Sequence, residues 1–148
     1  MNNKPASFLL LVVVLASLTA CGSSEDEMAL RDNIREMREA ITSHQADVFM
    51  KQIDANYKSP LHRDKNTLGD FIDYYLTGNR VIHIYLADIN IEIDDASAKI
   101  TFYSGVAGGP DQIPERGRLF KVGTHWLKTS GQWKLTQAKW RPALIPKN

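Results

Sequence analysis

Four histidines (His44, His62, His83 and His125) and a lone cysteine, Cys21, are the side chains best suited to metal or nucleophile chemistry in this chain. A metal site needs ligands at short fixed spacings or in gathered pairs, and these positions offer neither. No metal and no cofactor are expected. General acid–base chemistry needs a carboxyl or imidazole in an apolar pocket beside a hydrogen-bond donor. Most strand carboxylates fall within Asp88–Asp95, on a polar face or in a turn. Asp54 and Tyr57 are the exception, since three residues apart on a helix they share a face. Solvation on a helix surface explains Asp54 more simply, so no residue is assigned a catalytic role.

The elements that would position these groups divide the chain in two. Leu30, Ile34, Met37 and Ile41 form one apolar stripe, which predicts a helix from Glu25 to about Ser43. The pairs Glu27–Arg31 and Arg35–Glu39 lie on its solvated side. A second helix is expected from about Gln45 to Tyr57, stopped by Pro60. A third opens at Thr67, with Asp70 completing a weak capping box and Gly78–Asn79 ending it. After Gly78 the period changes from that of a helix to that of a strand. Strands are expected over Arg80–Leu86, Asp88–Asp94, Ala98–Ser104, Arg118–Lys128 and Trp133–Arg141, with Gly105–Gly117 a long loop. Helices followed by a meander of strands read as α+β.

The apolar run Phe8–Ala16 is nine residues long and follows Lys4. It suits a secretory segment of about 7–15 residues, not a membrane span of roughly 20. Leu18-Thr19-Ala20-Cys21 resembles the bacterial lipobox. The resemblance implies cleavage before Cys21 and lipidation of its thiol, with acyl chains that anchor the protein to a membrane. Gly22 in the next position resembles Gram-negative sorting patterns that favour the outer membrane. The expected organisation is a signal peptide over 1–20, a lipidated Cys21 with a short tether over 21–27, a domain over 28–142 and a tail over 143–148.

Charge is distributed unevenly. Residues 25–98 carry 8 basic and 15 acidic side chains, whereas residues 99–148 carry 9 basic and 2 acidic ones. Along the sequence the basic residues are scattered over the expected strands, with no run of the kind that tracks phosphates. Nucleic acid is not an expected partner.

Three helices followed by antiparallel strands, closing on "HWLKTSGQWKLTQAKW" from His125 to Trp140, resemble the nuclear-transport-factor-2-like superfamily, also described as cystatin-like. The resemblance implies a sheet curled into a cone, with the helices closing one side over a pocket. Alternation along the strands then makes Phe102, Thr124, Trp126 and Gln137 candidate lining, joined from the end of the second helix by Asp54 and Tyr57. His83, Tyr85, Tyr103, His125 and Trp140 fall on the opposite face, a candidate homodimer or ligand surface. The expected function is a lipid-anchored, periplasm-facing binding or interaction module that performs no catalysis. A cofactor-free lyase or isomerase acting on a small apolar ligand, and a scaffold subunit docking an envelope protein, are the alternatives.

Overall fold

The apolar stripe of the first helical segment needs a surface to cover it, and a four-stranded sheet supplies one. The computed structural model describes residues 20–109 and 116–143. Helices α1 (Ala20–Thr42), α2 (Ala46–Lys51) and α3 (Lys65–Gly78) precede strands β1 (Val81–Asp94), β2 (Ser97–Gly109), β3 (Arg116–Thr129) and β4 (Gln132–Pro142). The strands pair antiparallel in the order β1-β2-β3-β4, so the architecture is α+β. No helix among the described residues is long and apolar enough to cross a membrane. The expected signal segment lies outside the described residues.

Leu30, Ile34 and Ile41 of α1 are buried against the sheet together with Trp126, Trp133 and Leu135. Each such aliphatic side chain contributes about 1.5–3 kcal/mol by leaving water. Asp26 ties the start of this packing down. It accepts from Lys128 Nζ at 2.7 Å and from Trp133 Nε1 at 3.0 Å. The Glu27–Arg31 pair forms at 2.8 Å, whereas Arg35 reaches Asp32 at 2.9 Å and Glu39 only at 4.0 Å. All are exposed, and pairs of this kind are worth about 0.3–0.5 kcal/mol each. The helix ends in a Schellman motif, with Gln45 N–H donating to Ala40 O and His44 N–H to Ile41 O. His44 takes the left-handed position at φ 57°, an uncommon occupant of a site that favours glycine.

Several expected boundaries are corrected. Helix α1 begins at Ala20, five residues before the expected start at Glu25, so residues 21–27, the expected tether, are helical. Helix α2 stops at Lys51 because Ile53 pairs in parallel with Leu135. The chain then follows the β4 edge, with Asp54 N–H donating to Leu135 O and Lys58 N–H to Thr136 O. Helix α3 opens at Lys65, with its cap three residues before the expected one at Thr67. Asp64 is its cap, accepting from Thr67 N–H at 2.9 Å while Thr67 Oγ1 accepts from Asp64 N–H. The expected loop over Gly105–Gly117 is largely strand, since β2 continues to Gly109 and β3 begins at Arg116. Its remaining residues, 110–115, lie outside the described residues. The two strands expected over Arg80–Leu86 and Asp88–Asp94 are one strand, β1, kinked between them.

That kink is a bulge. Asp88 and Ile89 together oppose Phe102, and Asp88 has φ 53°. A second bulge lies in β4, where His125 pairs with Gln137 but Trp126 pairs with Leu135, leaving Thr136 as the extra residue. Because side chains alternate along a strand, one extra residue exchanges faces beyond it. Ser130 and Gly131, at φ 51° and 75°, turn β3 into β4, and two successive positive values mark the type I′ hairpin turn.

Candidate functional site

Burial along the helix-covered face of the sheet is uneven. Near the hairpin turns, Ala98, Ile100, Trp126, Trp133 and Leu135 are buried, Ile100 completely. Further along the same face Ile84, Leu86, Phe102, Val106, Val122 and Trp140 are only half-buried. One end is a packed core, and the other is a less tightly covered apolar surface in which Ile82 and Ser104 remain buried. Tyr57 and Trp126, both 1 % exposed, lie in the packed core. Trp126 Nε1 donates to Thr124 Oγ1 at 2.9 Å, and Thr124 Oγ1 donates to Ile100 O at 3.2 Å. These two candidate lining residues satisfy each other and face no free space.

The open end is built from the connection between α2 and α3. Ser59 N–H donates to His62 O at 3.0 Å, and Leu61 N–H donates to Ser59 Oγ at 3.1 Å. Pro60 fits this turn because its ring fixes φ where the chain must reverse. The turn sets the His62 ring 4.6 Å from Phe71 and 5.5 Å from Trp140, centroid to centroid. Phe71 in turn lies 6.3 Å from Tyr75 and 6.4 Å from Trp140. Phe71 and Tyr75 stand one helical turn apart on α3, beside its buried stripe of Leu68, Ile72 and Leu76.

Within this cluster His62 Nε2 is sealed from solvent and has no hydrogen-bond partner among the described residues. Burial holds the imidazole below its ordinary pKa, so it is neutral at neutral pH. The Tyr57 hydroxyl is likewise buried without a partner. Burial pushes its pKa up, offset slightly by Ser59, which lies close but outside hydrogen-bond geometry. Buried polar atoms are nearly always paired, so the orphaned His62 Nε2 at the less covered end marks where a further group belongs. A neutral imidazole among flat apolar rings can exchange one hydrogen bond with a planar ligand and stack against it.

The other candidate residues fall as follows. Phe102 is on the inner face and half-buried. Asp54 does not line a recess, because its carboxylate accepts from Asn56 N–H at 2.8 Å in a turn beyond α2. Gln137 and Trp140 exchange the faces expected of them, and the Thr136 bulge is the cause. Gln137 is exposed beside His125, and Trp140 points inward beside Val122. His83 and Tyr85 are exposed on the outer face, with Tyr103 half-buried there. His83 pairs with Ala107 and His125 with Lys99, so the two imidazoles do not meet across the sheet. No group of three metal-ligating side chains is gathered among the described residues. Sequence reasoning passed over His62, Phe71 and Tyr75 as site members. Helical spacing puts Phe71 and Tyr75 in one buried stripe with Leu68, Ile72 and Leu76, whereas Phe71 is 39% exposed and turns to His62 and Trp140.

No protein-family model matches the chain, and no curated protein does. Solved structures do. A candidate dehydratase of the nuclear-transport-factor-2-like family from Streptomyces avermitilis superposes with a TM-score of 0.74 at 14% identity, covering 83% of this chain and 99% of that one. A candidate scytalone dehydratase from Novosphingobium aromaticivorans gives 0.75 at 11% identity, covering 82% and 87%. A Pseudomonas putida protein of the same fold and unknown function gives 0.69 at 13% identity, covering 79% and 86%. At such identities the likeness establishes the fold, and a fold of this kind carries many unrelated activities.

Proposed function

We propose that this chain is a lipid-anchored, periplasm-facing binding module that takes a small planar apolar ligand at the half-open end of its inner face. The observation that carries the reading is the sealed Nε2 of His62 among the rings of Phe71 and Trp140. The ligand's body would stack on the rings while one hydroxyl or carbonyl met His62. The anchor rests on the lipobox resemblance of Leu18–Cys21, and outer-membrane residence on Gly22. Radiolabelled palmitate should enter the wild-type chain and not Cys21→Ser.

Naphthol is a suitable probe for the recess, being flat, uncharged and a hydrogen-bond donor or acceptor. It should quench tryptophan fluorescence saturably, and His62→Phe should weaken binding by roughly tenfold, the cost of one lost buried hydrogen bond. Naphthalene, without the hydroxyl, should bind the wild type and His62→Phe alike. Absence of saturable naphthol binding would sink the reading.

A second reading, a cofactor-free lyase or isomerase, draws on the same neutral imidazole, which could accept a proton at neutral pH. It also draws on the dehydratase names of two structural neighbours. Among the described residues no carboxylate hydrogen-bonds to His62, so binding is the simpler account.

A further inference from the structure

The outer face of the sheet holds a second feature, unrelated to the recess. Across β2, β3 and β4 three cross-strand rows line up: Tyr103–Lys121–Arg141, Thr101–Gly123–Lys139 and Lys99–His125–Gln137. These nine positions form a three-by-three grid on one face, and the central position is glycine. Neighbouring strands are about 4.7–4.9 Å apart, so the missing side chain leaves a hole ringed by eight others. Every one of the eight carries a hydrogen-bond donor and none is acidic. A hollow of about 380 Å³ occupies this place, lined by Lys99, Thr101, Lys121, Gly123, Lys139 and Arg141 together with the intervening Val122 and Trp140 of β3 and β4.

Four permanent cations thus converge on one hollow. No ion pair engages any of them among the described residues, although ion pairs occur on α1 and α2 and at Lys128. Lys121 instead lies with its Nζ 5.7 Å from the centroid of the Tyr103 ring. Lys121 and Arg141 sit directly opposite each other, and like charges so placed destabilise a sheet. An arrangement that costs stability when empty, and that a bound anion relieves, is the signature of a site. The bulge at Thr136 builds it, since it brings Lys139 and Arg141 to the outer face.

We infer that this hollow binds a phosphate-bearing ligand, its anionic group seated over Gly123 among Lys99, Lys121, Lys139 and Arg141. Phosphate fits better than a single carboxylate because it carries close to two charges and three acceptor oxygens. Arg141 offers a planar fork of donors and the lysines offer mobile point charges. The volume exceeds that of a bare phosphate, which leaves space for the body of a phosphate ester or a phospholipid headgroup. The inference uses neither His62 nor Phe71, and its charged groups lie on the face opposite the recess, although Val122 and Trp140 border both.

The test uses the full chain carrying Cys21→Ser, so that no acyl anchor contributes. Inorganic pyrophosphate is titrated in chloride buffer by calorimetry. Vesicles of phosphatidylcholine, with and without phosphatidylglycerol, are assayed by cosedimentation. Saturable pyrophosphate binding that weakens about tenfold in Lys121→Gln and in Arg141→Gln supports a soluble phosphate ligand. Binding confined to the phosphatidylglycerol vesicles, with the same losses, supports a lipid headgroup. Gly123→Val separates a shaped site from diffuse attraction. It keeps every charge, and its Cβ would meet the Lys139 stem at ordinary distances, 3.5 Å from Cε and 3.8 Å from Cγ, so the fold should survive. It should lose binding as the charge variants do, while Lys51→Gln on α2 should not. Binding to neither probe overturns the inference. So does binding that survives Gly123→Val and falls equally in Lys51→Gln.

Discussion

A single ring nitrogen at His62 connects ligand recognition to pH. Burial disfavours the charged imidazolium, so the folded pKa lies below the ordinary 6.5. As pH falls below that value the unfolded chain takes up the proton first, and folded stability declines until the folded pKa is passed. The urea midpoint should therefore drop as pH is lowered from neutral through 6.5. His62→Phe should flatten that limb of the profile. Asp26 acts in a different window. Its hydrogen bonds to Lys128 and Trp133 hold the carboxyl below its ordinary 3.8. Its contribution is complete above that value and is lost as pH falls through the folded pKa. Asp26→Asn keeps part of the geometry and should cost about 0.5–1 kcal/mol near neutral pH, read as a lower urea midpoint.

The histidine could be seen in the sequence but its task could not. Nothing in "KSPLHRDK" states that the turn will press the ring against Phe71 and Trp140, because those contacts bridge three elements. Thr124 and Trp126, by contrast, were legible as inward-facing from alternation alone.

At the scale of elements, the β4 bulge decides more than any helix. The inner run Trp133, Leu135 is read easily by alternation, and the same rule then misplaces Gln137 and Trp140. Sequence periodicity holds only while residues pair one to one, and a bulge leaves no fixed sequence mark. Here it is held by tertiary contacts, with Lys58 N–H donating to Thr136 O and Thr136 Oγ1 donating to His125 O. Deleting Thr136 should remove the bulge and leave one-to-one pairing, with Trp140 still inward and Arg141 still outward, while the bonds made at that residue are lost. The expected result is a cooperative unfolding transition at a lower urea midpoint, read by circular dichroism. Thr136→Ala preserves residue count and loses one hydrogen bond, and it should cost only about 0.5–1.5 kcal/mol. The short α2 has a similar explanation: its apolar pattern continues through Ile53, but pairing of that residue with Leu135 overrides local propensity. The β2 and β3 extensions escaped notice because glycines at 105, 108 and 109 read as loop, whereas pairing with β1 keeps them extended.

For the molecule as a whole, the acidic excess before residue 99 and the basic excess after it become a spatial arrangement. Most acids lie on the helices and β1, and the grid of cations occupies β2 to β4. Phosphate buffer should raise the melting temperature above that in chloride at equal ionic strength, since a ligand bound only by the folded state stabilises it. Removing one of the facing cations should act in the opposite sense to an ordinary site mutation. In chloride, Arg141→Gln is expected to stabilise the chain by a few tenths of a kcal/mol, while abolishing the extra gain from phosphate. Differential scanning fluorimetry of the two proteins in both buffers reads both effects at once.

The two edges of the sheet differ. The segment after α2 follows β4 and occupies the main-chain groups of Leu135 and Thr136, whereas among the described residues β1 has a strand on one side only. The edge of β1 is therefore the longer template for strand-to-strand growth between copies, and its sequence from Val81 to Ile93 is rich in β-branched residues. The left-handed kink at Asp88 interrupts that edge halfway, and Glu92 and Asp94 leave its second half negative. A neighbouring copy thus meets a template broken in the middle and repelling at one end. The same kink that realigns isoleucines toward the core also protects the protein from its own most adhesive strand.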